Sequence, residues 1–436
     1  FQQLYELGTE VKMATSLSNN PLVQDHELPP FREIQPEHIV PGMEFILEDN
    51  RKRIGEIIVK GDFSFQGLVK SLEQLEDRLN KAWSPIGHMN AVVNSDELRE
   101  AYNACLPKLS EYHTELGQNE ALYQALESLS KSAESDTLTQ AEKKVVENLL
   151  RDFRLSGVAL DSEKKERFAE LSKQLAEVTS KFADNVMDAT DAWSKLITDP
   201  EDLVGVPEGA LKLAKQAAEQ RGQQGYLITL DHPSYFPVLT HCENATLRQE
   251  ISIAATTRAS DKGPNAGQFD NSQLMPQIMG LRNELASLLS FANPAERSLA
   301  TKMAETPQQV IDFLNDLAEK SVPAARAEFR ELEEFASREY GCESLNPWDG
   351  IFYTEKLKKA KFDISDEQVR PYFPAPIVTA GMFEVVNKLF GIEVRKTEGV
   401  ELWHDDASSY DIYRDGQLIA RFYLDLYARA KKRGGA

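Results

Sequence analysis

One apolar stripe constrains this chain more than any other feature. After Asp161 stand Phe168, Leu171, Leu175, Val178, Phe182 and Val186. Their separations of 3, 4, 3, 4 and 4 residues set all six on one face of a single long helix. Helical patterning holds from Pro36 to about Ala189. Asn94-Ser-Asp-Glu97 and Thr139-Gln-Ala-Glu142 read as capping boxes, in which the first side chain accepts an orphan backbone N–H and the Glu reaches back. Residues 36–190 are therefore expected to form a bundle of long antiparallel helices. Residues 14–35, punctuated by Pro21, Pro29 and Pro30, read as an extended lead-in. Residue 1 is Phe, and Met13 is a plausible natural start, so 1–12 read as a tag remnant or upstream translation.

The pattern then loosens. Ala192–Thr198 and Tyr226–Leu230 are short strand-like runs flanking an Ala-rich helix after Pro207. Helices resume over Ala245–Arg258 and, after a glycine-rich loop at 261–267, over about Ser272–Leu289. Thr306-Pro307-Gln308-Gln309 is a helix start, with a capping Thr, a Pro whose missing N–H costs nothing at the first position, and a Gln expected to complete a capping box. That helix could reach Gly341, with a kink or break expected at Pro323. Beyond Gly391 the period falls towards two, at Ile392–Arg395, Ile412–Tyr413 and Leu418–Leu426. Asp415-Gly416 carries hairpin chemistry, because both turn positions need φ > 0. A hairpin alone is marginal in water. No sequence follows to cover it, so the chain is expected to stop inside a domain. The fold class expected is mainly α: a long-helix bundle leading into a partial α+β domain with a small terminal β ribbon. Three segments are expected: 1–35, 36–190 and 191–436.

Composition excludes some functions. Lys and Arg number 49 against 70 Asp and Glu, a net charge of −21. Such a surface opposes nucleic acid, whose phosphates need clustered Lys and Arg, and disfavours anionic membranes. No apolar run approaches the ~18 residues of a membrane span. Cys105, Cys242 and Cys342 are too scattered for a disulfide framework or a CxxC metal site, which suits a reducing compartment.

Motifs for chemistry are sparse. No two of the seven histidines are four apart. His26-Glu27-Leu28-Pro29-Pro30 begins like H-E-x-x-H, but its fifth position is Pro, and the prolines forbid the necessary helix. His241-Cys242-Glu243 reads as capping or core, since neighbouring side chains point apart. Asp231-His232 precedes Pro233 and reads as a turn with Asp bonding the backbone. The loop at 263–267 lacks the Gly-Lys-Ser/Thr of a phosphate cradle. Glu328–Phe335 reads as an amphipathic helix with a solvated acidic face, and Lys431-Lys432-Arg433, which could contact a carboxylate, reads by default as a solvated chain end.

Several stretches together carry a resemblance. They are Ser298–Ala304, Asn346-Pro-Trp-Asp349 with Tyr353–Lys356, Val369–Pro374, Phe383 with Leu389–Ile392, and Phe422–Arg429 with Lys432–Ala436. Leu28–Phe31, 267–271 and Leu281-Arg282 extend it. From about residue 20 onward the chain resembles the thimet-oligopeptidase-like zinc metallopeptidases. That resemblance implies a mostly helical protein with a zincin-type catalytic domain and a deep channel that admits short unfolded peptides. It implies a zinc held by the two His of H-E-x-x-H and a further Glu, with the motif's own Glu activating a zinc-bound water. It further implies oligopeptides as partners, no nucleic acid or membrane, and a cytoplasmic location. The 436 residues hold no H-E-x-x-H, which the family carries downstream of the segment matching Lys432–Ala436. No catalytic or metal residue can thus be assigned; zinc is expected in the intact protein and none in this chain, which should be inactive alone. Asp425, Tyr427, Arg429, Gly434 and Gly435 match the segment leading to the family's active-site helix and are candidate cleft residues. Packing and turn formation is their plainer role. The alternative to a peptidase is a non-catalytic helical protein that binds peptides or a partner; an enzyme of another type would use the residues set aside above.

Overall fold

A computed structural model describes residues 17 and 19–434, without the side chains of 366 and 367. Residues 1–12, Met13 and Gly435 lie outside the described residues. In chain order the helices are α1 (Pro36–Lys60), α2 (Lys70–Val92), α3 (Asp96–Gly117), α4 (Glu120–Ser130), α5 (Ala133–Thr137), α6 (Gln140–Leu155) and α7 (Ser162–Ala192). Strand β1 (Ser194–Ile197), α8 (Glu208–Gln220), β2 (Tyr226–Thr229), α9 (His232–His241) and α10 (Ala245–Thr256) follow. Then come α11 (Leu274–Leu288), α12 (Pro294–Leu299), α13 (Pro307–Tyr340), α14 (Gly350–Phe362), α15 (Asp366–Val369) and α16 (Ala375–Phe390). Strands β3 (Glu393–Thr397), β4 (Ser408–Arg414) and β5 (Gln417–Leu424) complete the order. The fold is mainly α with a small terminal ribbon. No helix among the described residues is long and apolar enough to cross a membrane.

The chain forms two compact units. The first comprises residues up to Lys181, with Leu274–Ala300 and Val400–His404. Its core is one apolar cluster drawn from the lead-in, α1 to α4, α6 and the helical turn Phe65–Val69, with Ile39, Met43, Ile46, Leu68, Ile86, Leu122 and Leu126 all fully buried. Local signals set the helix starts. Thr139 and Glu142 exchange both capping-box bonds. At α3 the cap is Ser95, which accepts from the Leu98 N–H, one residue later than the expected Asn94. Asn94 is instead buried and donates to the carbonyl and side chain of Asn90. A smaller cluster joins Phe168 and Leu171 of α7 to Leu281 and Leu285 of α11, flanked by a bidentate Arg167–Glu284 pair at 2.6 and 2.9 Å.

The stripe that predicts α7 holds for its first half only. Val186 is 36 % exposed, while Asp184, Asn185, Met187 and Ala189 are buried. A polar network decides this. The Asn185 amide donates to Asn271 Oδ1 at 2.8 Å, and the Asn271 amide donates to the Phe182 carbonyl at 3.1 Å. Buried amides need partners, so these bonds select the face turned inward.

The second unit comprises Phe182–Gln273, Thr301–Gly399 and Asp405 onward. Strands β1 and β2 pair antiparallel, and a core of Trp193, Ile197, Leu203, Ile228, Val238 and Ile251 forms beside them. Two expectations need correction. Asp231-His232 opens the helix α9, not an isolated turn: Asp231 occupies the cap position without a side-chain cap bond, and its carboxylate accepts from the Thr229 hydroxyl at 2.9 Å. Pro233 at the start of α9 fits the first turn, where no N–H is needed. Pro323 does not break α13, which runs 34 residues from its Thr306 cap to Gly341 in the left-handed region. Residues 319–326 are exposed, so water can serve the carbonyl that Pro323 leaves unbonded.

A buried ion pair fastens α10 to the start of α14. Arg248 Nη2 lies 2.6 Å from Asp349 Oδ1, and the two side chains are 3 % and 7 % exposed. Arg248 Nη1 donates to the Cys242 carbonyl at 2.7 Å. Asp349 Oδ2 accepts from the Asn346 backbone N–H and side-chain amide. The guanidinium lies 4.0 Å from the Phe352 ring centroid, and Lys356, paired with Glu243 at 2.6 Å, lies 4.9 Å from the same ring. The Asn-Pro-Trp-Asp stretch thus has a structural use.

Candidate functional site

The terminal sheet and the segment after it hold most of the candidate residues. Gly391 ends α16 in the left-handed region, and the Asn387 amide donates to the Ile392 carbonyl at 2.9 Å, turning the chain into β3. The sheet order is β3-β4-β5, all antiparallel. At the hairpin, Arg414 pairs with Gln417, and Asp415 and Gly416 both take positive φ (51° and 77°). That is the turn Asp-Gly favours.

The hairpin is not left uncovered. Strand β3 supplies a third strand, and α16 lays Phe383 against Tyr410 and Phe422, at 5.1 and 6.1 Å between ring centroids. Tyr410 and Phe422, opposite each other across the strands, stack at 5.4 Å. The cover lies earlier in the chain, in α16 and β3.

The opposite face is polar yet largely enclosed. Ser409 and Asp411 are 2 % and 6 % exposed. Asp411 Oδ1 lies 2.9 Å from Arg421 Nε on β5, and Tyr413 donates its hydroxyl to Oδ2 at 3.3 Å. Burial pushes the Tyr423 hydroxyl above its ordinary pKa, with Arg421 opposing. Strand β5 has β4 as its neighbour and lies at the sheet's edge. Its outer side therefore offers backbone N–H and C=O groups to any extended chain that comes alongside.

Past β5 the chain is tied down by charge. Arg429 reaches both Asp425 oxygens, at 2.7 and 2.9 Å. Lys432 Nζ donates to the Asp425 and Tyr427 carbonyls at 2.8 Å each, and pairs with Asp425 Oδ1 at 2.9 Å. The three charged side chains are 9–15 % exposed. Lys432 is thus a clamp, not the solvated end expected of the basic run. Next to it Lys431 has φ 61°. Burial pushes the facing Asp191 carboxyl above the usual carboxylate range, while Lys431 pulls it down by its charge and its backbone N–H. Tyr427 stands 53 % exposed, and Gly434 has open space where a Cβ would sit. The structure therefore brings together Asp425 and Arg429, leaves Tyr427 and Gly434 open, and says nothing of Gly435.

Sequence reasoning ranked a carboxylate contact for Lys432 below a solvated end, and it missed the Asp411–Arg421 pair. The second was hidden by a register shift between Ile412 and Tyr413, which must be known before residues can be counted outward from the turn. The residues set aside earlier have structural uses. His26 Nε2 lies 3.0 Å from the Pro21 carbonyl, and buried Cys242 donates to the Asp202 carbonyl at 3.2 Å. Among the described residues no three His, Cys, Asp or Glu side chains converge as a metal site. Those residues do not fit a catalytic zinc, and no chemical step can be built on them. What the ribbon can do is hold an extended backbone along β5.

Comparison with known proteins agrees with this architecture. Residues 238–436 match peptidase family M3, and residues 43–165 match the neurolysin/thimet oligopeptidase N-terminal domain. Over 419 residues the chain is 49 % identical to Oligopeptidase A of Haemophilus influenzae and 48 % identical to Oligopeptidase A of Escherichia coli. Each alignment covers 96 % of this chain and 62 % of the relative. Organellar oligopeptidase A, chloroplastic/mitochondrial, of Arabidopsis thaliana is 37 % identical over 433 residues, covering 97 % of this chain and 54 % of that protein. The chain thus spans less than two thirds of the length of these relatives.

Proposed function

The chain belongs to peptidase family M3, the thimet-oligopeptidase-like metallopeptidases, and from that membership we propose that the whole protein is a zinc-dependent endopeptidase hydrolysing short unfolded peptides. The observation that carries this reading is identity near one half to two bacterial oligopeptidases A, sustained over 96 % of the chain. Residues from 191 onward are read as part of the catalytic domain, and a cytoplasmic location goes with the bacterial relatives. The zinc and its activating Glu are assigned to residues outside these 436, which contain no H-E-x-x-H. The 436-residue chain itself would cleave nothing.

Its share of the work is to present a peptide. An extended peptide would add to the open edge of β5 through main-chain hydrogen bonds, which are indifferent to sequence and suit a broad peptidase. Asp425, Arg429 and Lys432 would hold the following segment in place, leaving Tyr427 and Gly434 to face the substrate. The test uses a fluorescent oligopeptide and two versions of it, N-methylated on alternate amides. One version should bind the 436-residue chain about tenfold more weakly than the parent, and the other nearly as well, because only one set of amides faces a neighbouring strand. Equal binding of all three would remove β5 from the account.

A second reading, a peptide-binding or partner-binding protein without catalysis, is favoured for these residues on their own by the exposed apolar faces of α13 and α16.

A further inference from the structure

In the first unit, α3 and α7 are tied together at two places. The Ser180 hydroxyl donates to Asn103 Oδ1 at 2.9 Å. Just past the other end of α3, the Gln118 amide donates to the Lys165 carbonyl at 3.5 Å, and Lys165 pairs with Glu120 at 2.5 Å. Between the ties lie residues 106–114 and 168–176, and there the two helices border a cavity of about 430 Å³. That volume lies in the range of small-molecule sites.

The walls are preformed. Leu109 and Phe168, 6 % and 5 % exposed, supply apolar surface. Trp83 of α2 adds an aromatic ring held by stacking on Tyr102 at 4.8 Å. Ser156, just past α6, also lines the cavity, and Gly117 lets it approach: a Cβ there would sit 2.5 Å from Ser156 Cβ.

Hydroxyls supply the rest of the lining. Ser110 and Thr114 of α3 stand four apart on one helix face, and Ser172 comes from α7. Elsewhere Thr179, Thr190, Thr240 and Thr256 turn their hydroxyls back onto the carbonyl four residues earlier, at 2.7–2.8 Å. Among the described residues the hydroxyls of Ser110, Thr114, Ser156 and Ser172 make no such bond and have no other partner. Thr114 is the telling one, because it is only 7 % exposed, and buried polar groups are normally bonded.

The chemistry of the lining decides what would enter. His113 is its one titratable side chain and already has Glu76 at 4.0 Å. An ion would therefore give up its hydration for no counter-charge. A wholly apolar guest would strip water from four hydroxyls and leave them unbonded. A neutral guest with its own hydroxyls meets both demands, since each hydroxyl can donate once and accept twice.

We propose that this cavity binds a neutral sugar ring of the pyranoside class, its C–H face against Trp83, Leu109 and Phe168 and its hydroxyls bonded to Ser110, Thr114, Ser156 and Ser172. The site is independent of peptide hydrolysis and stands whether or not that reading holds.

The probes are methyl β-glucoside, methyl β-galactoside and methyl α-mannoside, followed by saturation-transfer NMR on the 436-residue chain. Saturable binding of at least one is expected. Cyclohexanol, the same ring size with a single hydroxyl, should bind at least about tenfold more weakly than that glycoside. Thr114→Val keeps the shape of the side chain and removes its hydroxyl; it should fold normally and weaken binding about tenfold. Ser172→Phe should fill the cavity and abolish binding. Absence of saturable binding by all three glycosides, equal binding of cyclohexanol, or binding undiminished by Thr114→Val or by Ser172→Phe would each overturn the assignment.

Discussion

Replacing Asp349 with alanine should cost the second unit about 3–5 kcal/mol, the loss typical when one partner of a buried ion pair is removed. Arg248 would be left 3 % exposed with no counter-ion. Its bond to the Cys242 carbonyl and its contact with Phe352 would remain, but neither neutralises a charge. Asn346 would lose both bonds to the carboxylate at the entry to α14. The double change Arg248→Met, Asp349→Leu should recover most of the loss, because apolar side chains of similar volume often replace a buried pair with little cost. Urea unfolding followed by circular dichroism measures both. A loss under about 1 kcal/mol for Asp349→Ala would mean that the pair behaves as a solvated surface bridge.

The 436-residue chain should also associate with itself and bind an apolar dye strongly. Along α13, Phe313 and Leu314 are 62 % and 55 % exposed. Along α16, Ile377, Leu389 and Phe390 are 65 %, 69 % and 63 % exposed. Monomeric soluble proteins rarely leave contiguous apolar patches larger than a few hundred Å² uncovered. Burying such side chains gains roughly 25 cal/mol per Å², and an open β5 edge adds a template for pairing. Sedimentation should therefore show mass rising with concentration. The charge substitutions Phe313→Lys, Leu314→Glu and Leu389→Lys should shift the protein towards monomer and cut dye fluorescence severalfold without lowering the melting temperature, since all three side chains already face water. A wild-type chain that stays monomeric and leaves the dye dark would contradict this.

The sequence disclosed what local chemistry controls. Thr139 with Glu142 and Asp415 with Gly416 each act within a few residues and appear as read; Thr306 caps its helix as expected, but Gln309 accepts from the Glu305 N–H and so does not complete the box with Thr306. Apolar periodicity located α7 and α11 for the same reason. It failed at Val186, where an amide pair reaching from Asn185 to Asn271, 86 residues away, chose the buried face. Pro323 was expected to break a helix because the sequence alone does not say that its neighbourhood is solvated. The candidate site was legible only by resemblance. Asp425, Tyr427 and Arg429 carry no catalytic spacing, and the clamp they share with Lys432 depends on an irregular backbone that no periodicity encodes.

On the proposed function, the whole protein is a zinc peptidase and these 436 residues lack its H-E-x-x-H. The direct measurement incubates a short unfolded peptide with the whole protein and, separately, with the 436-residue chain, and reads the products by mass spectrometry. The expected result is internal cleavage by the whole protein that a chelator abolishes and added zinc restores, and an intact peptide after incubation with the 436-residue chain. Cleavage that survives the chelator, cleavage by the 436-residue chain, or no cleavage by the whole protein would contradict it.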